Sequence, residues 1–137
     1  MEKIFSKLEN NVLLHIIYRK EDIVSFRDNI TPEEEYLQVA SIKMQNGRTF
    51  KAHKHIHQER YTDIAQESWV VIDGKIRAIL YDLDDTIIAT RTLNEGDCSI
   101  TFRGGHNYEC LKDNTIVYEY KTGPYQGVEK DKVLLEV

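Results

Sequence analysis

Cysteine is scarce in this chain of 137 residues: Cys98 and Cys110 are the only two. Two cysteines cannot make a disulfide framework, so a reducing, cytoplasmic setting is expected. Long apolar runs are missing as well. The longest, such as Val12–Tyr18 and Trp69–Ile72, fall far short of the ~20 residues that span a bilayer. The opening MEKIFSKLEN has no apolar core and no small-residue cleavage site, so no signal peptide is expected. An excess of positive charge is also absent. With 18 Lys and Arg against 23 Asp and Glu, the formal charge is −5, which disfavours electrostatic binding to nucleic acid or to an anionic membrane. Internal repeats, low-complexity stretches and linkers are not found. What remains is one soluble domain, 41% hydrophobic and 30% charged, long enough to bury its own core.

Helical periodicity is weak. The one good helix start is Thr31-Pro32-Glu33-Glu34-Glu35, with a threonine to cap, a proline at the first helical position and acids in the first turn. It can run only a turn or so, because 37–44 then alternates like a strand. Val12–Tyr18 (VLLHIIY) is also strand-like. All seven glycines lie between 47 and 127, and from Gly47 the chain reads as short strands at 48–57, 67–73, 75–81, 86–92, 97–102, 105–111 and 114–121. Asp73-Gly74 between two apolar runs predicts a hairpin with a type I′ turn. Many short strands at roughly 8–12-residue spacing predict an all-β sandwich or barrel. Val133–Val137 is a candidate last strand, and Glu129–Lys132 a solvated charge run. The strand Val12–Tyr18 has no evident partner in the glycine-punctuated unit, which makes pairing across a homodimer its expected use.

Three histidines crowd into Lys51-Ala52-His53-Lys54-His55-Ile56-His57. In a strand, residues at i, i+2 and i+4 share a face about 6.5–7 Å apart, so His53, His55 and His57 would point one way and two of them could meet on one ion. His106 follows Gly104-Gly105, with Tyr108 and Cys110 on its own face. Neutral imidazoles with a carboxylate suit Fe, Mn, Ni, Cu or Zn; a solvated face is the alternative reading of the same cluster. His15, alone in an apolar strand, reads as a core or interface residue. Cys98 and Cys110 read as packing residues. In Tyr118-Glu119-Tyr120-Lys121, alternation sets Glu119 and Lys121 on one face, either an inward acid–base pair or a surface salt bridge.

Residues 47–106 resemble the two motifs of the cupin superfamily, small β-barrel proteins. Gly47, His53 and His55 fit the first half of the first motif, and Glu67, followed by six residues and Gly74, fits its second half. The departure is the gap: eleven residues separate His55 from Glu67, where the family has three or four. Glu59 stands at the usual gap without the glycine that should follow. In the second motif Gly96 begins the pattern, Phe102 replaces the proline, Gly104 matches and His106 arrives one residue early. The resemblance implies a single-domain double-stranded β-helix, or jelly-roll barrel. Residues 1–46 would be lead-in strands with a short helical turn, 47–121 the core barrel and 122–137 a tail.

The same resemblance implies one divalent transition metal ion (Fe, Mn, Zn or Ni) held by His53, His55, Glu67 and His106, and a small-molecule substrate. Such an ion can act as a Lewis acid or bind dioxygen if a coordination position stays open. Tyr108 and Glu119 are the candidate catalytic residues. Tyr108 would shuttle or orient a proton, or else be a core tyrosine with a bonded hydroxyl. Gln66 and Arg103 are outlying candidates. Within cupins the GGH segment and the tail from Glu119 to Lys132 look similar to small bacterial members found with surface-polysaccharide genes. Isomerisation, epimerisation or oxygenation of a sugar or nucleotide-sugar is the implied activity; a non-catalytic metal-binding module and a metal-free sugar epimerase are the alternatives.

Overall fold

A computed structural model describes residues 1–137. In chain order its elements are β1 (Glu2–Phe5), β2 (Leu13–Tyr18), a 3-10 turn (Lys20–Asp22), β3 (Arg27–Asn29), β4 (Ala40–Ile42), β5 (Glu67–Asp73), β6 (Lys75–Tyr81), β7 (Ile87–Asn94), β8 (Cys98–Thr101), β9 (His106–Cys110), β10 (Ile116–Lys121) and α1 (Val128–Asp131). The chain is all-β, as its short alternating runs predict. Its strands form a five-stranded sheet in the order β1-β2-β8-β5-β10, a three-stranded sheet β7-β6-β9 and the small ribbon β3-β4. Every pairing is antiparallel, and the sheets do not close into a barrel.

The large sheet is covered on both faces. Its inner face and that of the small sheet enclose one core, with Ile17 and Val71 opposite Ile76, Ala78, Leu80 and Leu93. The outer face carries a second core, Leu13, Ile16, Tyr18, Cys98, Ile100 and Phe102, closed over by Ile30, Leu37 and Val39 from the β3-β4 region. Two-sided burial explains why β2 reads LLHIIY and is buried at every position; a strand wet on one face would alternate. Burying each large aliphatic side chain contributes roughly 1.5–3 kcal/mol, so these two cores outweigh the surface ion pairs.

Several expectations change here. β2 is not an unpaired edge awaiting a second copy: it lies between β1 and β8 of its own chain. Asp73-Gly74 is not a type I′ hairpin. β5 pairs with β8 and β10 while β6 pairs with β7 and β9, so this corner carries the chain from one sheet to the other. Gly74 alone has a positive φ, 88°, and a Cβ there would strike Thr115. No helix starts at Thr31. Its hydroxyl accepts from Val39 N at 3.0 Å instead of capping, so the proline leads only into a turn (Glu35 N to Pro32 O, 3.2 Å). The helical charge run lies at the other end, in α1, and Val133–Val137 forms no strand.

The largest correction concerns 48–57. This stretch forms no strand, and 43–66 contains no regular strand or helix. A strand needs either two-sided burial or one apolar face, and this segment offers neither: Ile56 is 79% exposed and its neighbours are histidine, lysine and glutamine. No helix of the molecule is long and apolar enough to cross a membrane.

Candidate functional site

Pairing register decides which side chains meet. Across the inner face of the large sheet one row runs His15, Thr101, Glu67, Lys121, and the next runs Ile17, Ser99, Trp69, Glu119. On the facing sheet His106 stands beside Leu80, and Tyr108 beside Ala78. The two sheets bring Glu67 and His106 together. Nε2 of His106 lies 3.2 Å from Oε1 of Glu67, with the side chains 27% and 12% exposed. The indole of Trp69 donates to the same Oε1 at 2.6 Å, while Nδ1 of His106 is buried without a partner.

Below the pair an aromatic floor bridges the sheets. Trp69 and Tyr108 stack with centroids 4.1 Å apart, and the His106 ring is 5.5 Å from that of Tyr108. The Tyr108 hydroxyl bonds Ser99 Oγ at 2.7 Å, and burial, foremost, holds its pKa above the ordinary tyrosine value. It therefore stays protonated, as a core tyrosine with a bonded hydroxyl. Burial alone would raise the Glu67 carboxyl. Neighbouring His106, the Trp69 N–H and the charge of Lys132 outweigh that, and Glu67 titrates below its ordinary value.

At the rim, Lys121 Nζ donates to Asp131 Oδ2 at 3.2 Å, stands 3.8 Å from Glu119 and lies 4.6 Å from the Tyr125 ring centre. Glu119 and Lys121 thus share one side of β10 as alternation predicts, with Lys121 between Glu119, itself exposed, and α1. Tyr118 and Tyr120 face outward and are exposed. Sequence reasoning missed Trp69 and Asp131. A tryptophan two residues from Glu67 on one strand face could have been flagged; Asp131, in a charge run, gave no signal. The outlying candidates point elsewhere: Gln66 Nε2 donates to Glu35 Oε2 at 2.6 Å, and Arg103 reaches Glu35 Oε1 at 2.8 Å.

His53 and His55 stay apart from the pair. Their rings touch each other, 5.8 Å apart and edge to face, on the exposed irregular segment, where His53 Nδ1 lies 2.9 Å from its neighbour's carbonyl at Lys51. They do not share a strand face with each other or with His57. No three His, Cys, Asp or Glu side chains converge as an ion would require. As the side chains stand, two of the four expected donors meet and two do not. The cysteines divide: Cys98 is buried, which pushes its thiol up to about 12, whereas Cys110 is exposed, contrary to its reading as a packing residue, with Sγ 3.0 Å from Lys112 O.

The turn into His106 is tightly constrained. Gly104 has φ 77°, and a Cβ there would lie 2.5 Å from Tyr81 O and 3.4 Å from His15 Nε2. Gly104→Ala is expected to cost about 1–3 kcal/mol from the backbone alone. It should also shift the His106 ring resonances, as seen in urea unfolding and side-chain NMR. A wild-type spectrum and midpoint would show that the turn does not position His106.

Compared with known proteins, the chain matches no family model, no curated protein and no solved structure.

Proposed function

We propose that this chain is a mononuclear metal-binding cupin acting on a small polar metabolite, a sugar or nucleotide-sugar, through isomerase-, epimerase- or oxygenase-type chemistry. One observation carries the reading: Glu67 and His106, which come from two separate motifs, meet 3.2 Å apart between the sheets. Two donors bound to one ion at about 2.0–2.2 Å and at right angles to it are themselves about 3 Å apart. The donor set is chemically apt, but its other two members, His53 and His55, do not reach the pair as the side chains stand. Holding an ion would require the segment before β5 to carry them there. A bound ion would supply a Lewis acid to polarise a substrate oxygen. Glu67 and His106 would hold that ion, Trp69 and Tyr108 would keep water from below, and Lys121 would fix the rim.

The test is elemental analysis of purified protein, wild type beside His55→Ala and His106→Ala. Near one equivalent of Fe, Mn, Ni, Cu or Zn in wild type, lost in both variants, is the expected result. Absence of metal after reconstitution would overturn it.

A second reading is favoured by the fact that only Glu67 and His106 stand assembled. A carboxylate beside an imidazole can transfer protons without metal, as a metal-free sugar epimerase needs. Turnover that survives exhaustive chelation and fails in Glu67→Gln would select this reading over the first.

A further inference from the structure

Where β5 begins and β10 ends, the surface carries an open cleft with about 290 Å3 of space, lined mostly by exposed residues. Its wall comes from three places: Thr62–Ala65 just before β5, Thr122–Pro124 and Gln126 just after β10, and Lys130 and Asp131 of α1. It begins close to the register pair Glu67–Lys121, at Ala65 and Thr122. Asp131 belongs to both regions, since it lines the cleft and takes the hydrogen bond from Lys121. The cleft is thus the neighbour of the Glu67–His106 pair.

Two carboxylates in this wall are held through one oxygen each. The Tyr36 hydroxyl donates to Asp63 Oδ1 at 2.8 Å, and Lys121 to Asp131 Oδ2 at 3.2 Å. Asp63 Oδ2 and Asp131 Oδ1 have no partner in the protein. A carboxylate hydrogen-bonded through one oxygen leaves the other free to accept from a ligand. Thr62, Thr122 and Gln126 add groups that both donate and accept.

Size and charge narrow the ligand. Small-molecule pockets run from roughly 300 to 1,000 Å3, so this one is at the bottom of the range. Within its walls it has room for about one sugar ring. Its charged lining is Asp63 and Asp131 against Lys130, a net negative wall, and Lys121 is already engaged by Asp131 and Glu119. No arginine lines it, so the fork that recognises phosphate is missing. A wall rich in acceptors wants a ligand rich in hydroxyl donors and free of negative charge.

We infer that this cleft binds the ring of an unphosphorylated monosaccharide, with Asp63 and Asp131 accepting its hydroxyls. The inference rests on the proposed function for the chemistry beside it, and it narrows the substrate class to the free sugar.

The experiment is a backbone-amide NMR titration of the full chain with free aldohexoses, 6-deoxyhexoses and N-acetylhexosamines at millimolar concentration, alongside UDP and UDP-glucose. At least one free sugar should shift the amides of 62–65 and 122–126. Asp63→Asn and Asp131→Asn should each weaken that binding at least tenfold, and UDP should leave these amides unmoved. Asparagine can still accept from Tyr36 or stand beside Lys121, so both variants are expected to fold, which their amide spectra check directly. Three results would overturn the inference: no free sugar moves these amides, both folded variants bind as wild type does, or UDP occupies the cleft. Metal content, measured on the same samples, separates this from the proposed centre. Metal lost in His106→Ala with no sugar binding defeats the cleft alone, whereas sugar binding without metal defeats the metal centre alone.

Discussion

Phe102→Ala is expected to destabilise the protein by about 3–5 kcal/mol, a large share of a domain's total stability. Phe102 is completely buried in the outer core, among Leu13, Ile16, Ile100 and the covering residues of the β3-β4 region. Truncation removes the transfer free energy of the ring and leaves a cavity that two packed layers cannot collapse around. Its backbone N–H also bonds Leu14 O at 2.9 Å, at the end of β8. Urea unfolding should show a lower midpoint with an unchanged slope. Ile116→Ala, at a position 53% exposed, is the control and should change stability by no more than about 0.5 kcal/mol. Equal losses in the two variants would show that the outer layer is not a packed core.

The second large effect is on pH, and it belongs to His15. The ring is fully buried, with Nε2 3.0 Å from Tyr81 O and Nδ1 3.0 Å from Thr101 Oγ1. A carbonyl only accepts, so Nε2 carries the proton and Nδ1 accepts from the threonine hydroxyl. The neutral ring is thus satisfied on both sides. Burial, foremost, lowers its pKa from 6.5 to about 4. The unfolded chain takes up a proton as pH falls below 6.5 and the native state does not until about 4, so the stabilisation is full above 6.5 and lost between the two. At 1.36 kcal/mol per unit the loss is about 3 kcal/mol. Glu67 is separable, because a carboxyl with a lowered pKa loses its contribution only below its ordinary value of 4.5. Wild-type stability should fall steadily from pH 7 to pH 4.5. His15→Gln can still donate to Tyr81 O and accept from Thr101, and it should be much flatter over that range. A wild type as stable at pH 5 as at pH 7 would mean that His15 is not a buried neutral ring.

Some of this was legible in the residues. β5 and β6 fall at 67–73 and 75–81 as the apolar runs and Gly74 predict, because branched residues bounded by a positive-φ glycine leave the backbone few choices. Alternation also separated Glu119 and Lys121 from Tyr118 and Tyr120, since strand geometry alone fixes that face. β2 was legible as a strand but not as one buried on both faces, and the cupin resemblance, not spacing, put Glu67 and His106 in one ligand set.

Tertiary structure decided the rest. Asp73-Gly74 has the composition of a hairpin, yet it crosses between sheets, because which strands pair depends on contacts far away in the chain. His53, His55 and His57 have the spacing of a strand face, but spacing becomes geometry only when a partner strand and an apolar face hold the segment, and this one has neither. The sequence alone settled the all-β class, several strand limits and the residue types available for chemistry. Only packing placed Glu67 against His106, set Trp69 beneath them and put Asp131 on Lys121, because each of those contacts joins residues that the chain keeps apart until two sheets close on a common core.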